Sequence, residues 1–165
     1  MKRIGTVALV AATALLVGLV GVAMASPPTD ASGTITQTGV TELQVRMAGP
    51  NVIIEQTVVG NVSGTLSGTF EDTIRVVLHP NGGFTAVGKG SCECTVDGIS
   101  GVVEYVVSDT GEEFNGIPTF EGRQVITGAS GDLSGLRGIF QIEGAVDPGT
   151  FLSVINYSGA IHTHP

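Results

Sequence analysis

Apolar and polar residues alternate with period two along most of this chain. The longest run holds Val62, Gly64, Leu66, Gly68, Phe70, Ile74, Val76 and Leu78 on one parity. Ser63, Thr65, Ser67, Thr69, Glu71, Thr73, Arg75 and His79 hold the other. Such alternation marks a strand with one face toward a core. The run exceeds an ordinary strand, so a bend or break is expected at Gly64 or Gly68. Shorter runs cover 32–39, 41–47, 52–59, 84–96, 99–107, 120–126 and 151–161. Gly49-Pro50-Asn51, Pro80-Asn81-Gly82-Gly83, Asp97-Gly98 and Asp147-Pro148-Gly149 are turn signals between them. Residues 109–116 read as an acidic loop. The clearest stretch is Thr127 to Gly144. A turn over Gly128–Asp132 leads into a strand with Leu136, Gly138, Phe140 and Ile142 on one face. Arg137, Gln141 and Glu143 lie on the other face, with Ile139 the exception.

No segment shows a helical period, so the pattern predicts about eight strands in an all-β, antiparallel fold. A closed eight-stranded barrel is the first choice and a sandwich the second. Glycines recur on the apolar parity at 64, 68, 88, 90, 101, 138 and 144, where they permit the coiling that a small barrel needs.

Residues 1–25 have the makings of an export signal. Lys2 and Arg3 precede an uncharged run from Ile4 to Val22, and Ala23-Met24-Ala25 forms a small-residue cleavage site. The expected divisions are a signal at 1–25, a mobile leader at 26–31 and a single domain at 32–165. The product would be secreted or periplasmic. An uncleaved anchor is the rival, since a run of about 20 residues can span a bilayer; no second run of that length follows. Cleavage would remove two of the seven basic residues. Five would remain against fifteen acidic ones, a formal charge of −10. That chain has no basic footprint for a phosphate backbone, so nucleic acid is not an expected partner. No membrane contact is expected beyond the export signal. Oligomeric state is not set by the sequence.

Ser130-Gly131-Asp132-Leu133-Ser134-Gly135-Leu136-Arg137-Gly138 resembles the late Gly-rich motif of an uncharacterised family of small bacterial β-barrels. Gly68-Thr69-Phe70-Glu71 fits the early part of that family less specifically. Related barrels are those of the allene oxide cyclases and the dirigent proteins. The resemblance implies an eight-stranded barrel over most of the chain. It assigns no activity, because no catalytic residue of those enzymes maps onto this sequence.

Few residues carry chemistry. Cys92 and Cys94, the two cysteines, share the apolar parity of 84–96. A disulfide, two buried thiols, or a soft metal site shared with His162 and His164 all fit the residue types. Residues i and i+2 of an extended strand lie about 6.5–7 Å apart, so a disulfide would need a kink. Parity puts the histidines on the opposite face, and no metal or other cofactor is implied. Asp72 is a carboxylate within the apolar parity of Phe70 and Ile74. It points inward unless a bulge turns it out. Tyr105, Tyr157 and Gln124 also fall on inner faces. With Asp72 they form the candidate ligand-binding set, the polar points of an apolar cavity. No nucleophile elbow, phosphate loop or metalloprotease motif is present, and no catalytic residue is assigned. The expectation is an exported barrel that holds a small apolar molecule or acts as a scaffold. An isomerase or cyclase confining an apolar substrate, and a structural barrel with a filled core, are the alternatives.

Overall fold

The computed structural model describes residues 26–163, which puts the predicted signal and His164 outside the described residues. Eight strands run in chain order: β1 (Thr29–Ala48), β2 (Asn51–Gly64), β3 (Leu66–Leu78), β4 (Gly83–Val96), β5 (Ile99–Phe114), β6 (Ile117–Gly131), β7 (Leu136–Val146) and β8 (Ser153–Thr163). Each pairs antiparallel with the next, and β1 pairs with β8, so the sheet closes into a barrel. The expected fold is the observed one.

Several boundaries differ from expectation. The runs at 32–39 and 41–47 are one strand, β1. Register shifts at Gln37/Gly39 and Val40/Glu42 break its alternation and mimic a gap. β1 begins at Thr29 and buries Ala31, so residues 29–31 of the expected leader are already sheet. The break in the long alternation falls at Thr65, beside Gly64 with φ of 113°, a conformation open to glycine. Residues 109–114 are not loop. β5 carries its charged residues through to a two-residue turn at Asn115–Gly116.

Inside the barrel, large side chains lie opposite glycines. The register sets Phe70 against Gly60, Tyr157 against Gly33, Phe84 against Gly111, Phe120 against Gly144 and Phe140 against Gly159. A methyl at Gly60, Gly111 or Gly144 would strike the facing phenylalanine ring, and one at Gly33 the phenol of Tyr157. The glycines thus supply the room into which neighbouring rings fold.

The two ends of the barrel differ. At one end Leu133, from the β6–β7 turn, packs into the bore with Ala31, Leu66, Val96, Leu136 and Ile161 and fills it. Both chain ends of the described segment meet there, with the Ser26 N–H donating to the Thr163 carbonyl at 3.0 Å. The opposite end, ringed by the β1–β2, β3–β4, β5–β6 and β7–β8 connections, holds a cavity.

Candidate functional site

The cavity is about 80 Å³. Its walls are apolar, including Ile74, Phe84, Phe120, Ile142 and Ile155, and set among them are Asp72, Tyr105, Asp109, Gln124, Gln37 and Ser153. Among the described residues, no lysine, arginine or histidine lines it. Larger hollows over the outer wall of β4–β8 are shallow concavities of the twisted sheet, bordered by Thr110, Glu121, Glu143 and Asn156.

Asp72 points inward and is 9% exposed. β3 keeps its register on both sides, so no bulge turns the residue out. One row of the sheet explains its position. Asp72 of β3 faces Gly90 of β4, which faces Tyr105 of β5. Gly90 has no side chain, so the Tyr105 hydroxyl reaches across it and donates to Asp72 Oδ1 at 2.6 Å. Burial pushes the Asp72 carboxyl up to about 6, and the hydrogen bond from Tyr105 opposes that rise. Burial also pushes the Tyr105 phenol far up, and the Asp72 charge adds to it. Tyr105 is therefore a donor at any ordinary pH.

Asp109 is the residue that sequence reasoning missed. It lines the same cavity, opposite Gly122, and burial pushes its carboxyl up to about 6. Among the described residues it has no hydrogen-bond or ion-pair partner. Extending the inner parity of Val103, Tyr105 and Val107 by two residues reaches it. Gln37 accepts from the Ser153 N–H at 3.0 Å, which ties β1 to the start of β8 beside the cavity.

The remaining predicted site residues separate. Gln124 is buried and lines the cavity close to Tyr105. Tyr157 does not join Asp72. It lies toward the filled end, edge-on to Phe140 with ring centroids 5.3 Å apart. Its hydroxyl accepts from the Leu66 N–H at 3.0 Å and is 3.4 Å from the Ser63 and Leu66 carbonyls, so it fastens the β2–β3 turn. Cys92 and Cys94 are joined as a disulfide with Cα atoms 5.2 Å apart, closer than an extended strand places them. Both are buried in the filled half, and the bond leaves no thiolate for a site with His162.

No protein-family model matches the chain, and no curated protein matches it. Among solved structures it is similar to a protein of unknown function from the DUF3224 family of Shewanella oneidensis MR-1, at 16% identity and a TM-score of 0.55. That match covers 84% of this chain and 99% of the other. It is also similar to the pterocarpan synthase dirigent protein GePTS1, at 9% identity and a TM-score of 0.44, covering 84% of this chain and 90% of the other. The first likeness is one of fold. It agrees with the resemblance to an uncharacterised barrel family and carries no activity with it.

Proposed function

We propose that the open end of the barrel binds a small, largely apolar molecule that presents a hydrogen-bond donor, best an amine, to Asp109 and Asp72. One observation carries this reading: Asp109 brings a carboxyl without a partner into an apolar cavity that no cationic side chain of the described residues lines. Asp109 is half-buried, and a carboxylate drawn partly out of water gains from a donor or counter-charge that meets it. The cavity is smaller than the roughly 300–1,000 Å³ of ordinary ligand pockets, so it suits one ring or a short branched chain, with the rest at the mouth. The acidic chain would draw cations toward that mouth. Export by the N-terminal segment belongs to the same reading. N-terminal sequencing of the released product should start at Ser26.

The test is calorimetric titration with matched pairs of small amines and neutral isosteres. The amine of each pair should bind more tightly at pH 8, and Asp109→Asn should weaken it about tenfold, as loss of a charge-assisted hydrogen bond does. Loss of amine affinity at pH 5 should follow protonation of the carboxyls. If neither class binds at millimolar concentration, the reading of a structural barrel stands instead. An isomerase or cyclase is the second reading. Asp72, with its carboxyl at about 6 and bonded to Tyr105, is poised for proton transfer, and conversion of a bound ligand to an isomer would select it.

A further inference from the structure

β1 outruns its partner. β8 pairs with it only from Thr29 to Thr36, whereas β2 stays beside it to Ala48. Among the described residues, the side of 38–48 that faces away from β2 has no strand partner and no main-chain hydrogen bond. On this arm Leu43, Val45 and Met47 share one face and are 60%, 60% and 68% exposed. Glu42, Gln44 and Arg46 share the other. A long open edge with an apolar face is a template for pairing with another strand, and stable proteins usually blunt one with charge, proline or a cover. The edge here holds one Glu and one Arg, so it is locally neutral in a chain of net charge −8.

We propose that this arm pairs antiparallel with the same arm of a second copy, about a two-fold axis at Gln44. The charges select that register. With Gln44 opposite its own counterpart, each Glu42 faces the Arg46 of the other copy, and each Leu43 faces a Val45. Sliding the centre one residue either way, to Leu43 or Val45, puts Glu42 opposite Gln44 or Ala48 and loses both charge pairs. A two-fold axis of this kind closes, so the contact gives a dimer and not a filament. Arg46 already lies 3.5 Å from Glu55, but Arg75 also reaches Glu55 at 3.7 Å. Glu55 therefore keeps a cation when Arg46 turns to the partner copy. The apolar rows of the two arms fall on one common face, where they cover each other.

Disulfide trapping of the full chain tests this. Directly opposed residues of an antiparallel pair have Cβ atoms about 4.5–5.5 Å apart, near the range that a disulfide spans. Cys92 and Cys94 are bonded and buried, so an introduced thiol is the reactive one. Under mild oxidation Gln44→Cys should give a covalent dimer, and Ser67→Cys, on the outward face of β3, should not. In the Gln44→Cys background, Glu42→Arg and Arg46→Glu should each lower the yield several-fold by opposing like charges. The two together should restore it. Equal trapping at 44 and 67 would overturn the proposal, as would failure of the double reversal to recover dimer with the β-sheet spectrum intact. Sedimentation gives an independent reading. The unsubstituted chain should be dimeric at micromolar concentration, and a monomer throughout the millimolar range would also refute the pairing.

Discussion

Asp72 is held in the barrel by what its neighbour lacks. A methyl built at Gly90 would overlap the Asp72 carboxylate and come within 2.8 Å of the Glu71 carbonyl oxygen. Gly90→Ala should therefore lower stability by about 2–3 kcal/mol, as overpacking of an ordered interior does. Part of that loss comes from the side chain of Asp72, so combining it with Asp72→Gly should cost less than the sum of the single changes. A double-mutant cycle in urea measures the difference. Additive effects would mean that the carboxylate and the glycine do not share this space. The same row decides what other changes at Asp72 do. Asn keeps an oxygen for the Tyr105 hydroxyl and removes the charge, whereas Val leaves that buried hydroxyl without its acceptor.

Among the elements, β4 carries an internal cross-link and β5 two of the cavity's polar contacts, Tyr105 and Asp109. The Cys92–Cys94 bond joins two residues of one strand and ties no two elements together. β4 is already paired along its length with β3 and β5. Closing so short a loop restricts the unfolded chain little, so Cys92→Ala with Cys94→Ala should cost about 1–2 kcal/mol and leave the far-UV spectrum β-dominated. Loss of the sheet in that variant would make the bond a condition of folding. Strand periodicity by itself carries most of this architecture. The inner faces of β3, β4 and β7 follow directly from alternation, and Asp72, Tyr105 and Gln124 were legible as inward residues. Asp109 was not, because Asp, Thr and two Glu near a glycine look like a solvated loop, yet β5 runs through them. The double shift in β1 is equally invisible, since it depends on pairing with β2 and not on the local residues. Tyr157 had the right face and the wrong end, which parity alone cannot distinguish.

At the scale of the whole molecule, the barrel is filled at one end and carries its buried acid at the other, and this gives stability an unusual pH trend. Asp72 and Asp109 titrate at about 6 in the folded chain, against an ordinary 3.8. Between these values the folded chain keeps protons that the unfolded chain has released. The stability they contribute is complete below about 3.8 and is lost as pH rises through 6. Asp72 accounts for about 2–3 kcal/mol of this, and Asp109, more open to the mouth, for less. The unfolding midpoint should thus rise as pH falls from 7.5 to 4.5, the reverse of ordinary acid lability. General repulsion in an acidic chain has the same sign, but surface charge is screened by salt and buried groups much less so. The decisive comparison is made at high salt between the natural chain and Asp72→Asn with Asp109→Asn. The variant should be the more stable of the two at pH 7.5 and should lose most of the slope. Parallel curves would show that neither carboxyl is buried enough to matter. A bound amine should reverse the trend, because it stabilises the ionised carboxyls and its contribution appears only as pH rises through 6. The same two residues then destabilise the empty barrel at neutral pH and stabilise the occupied one.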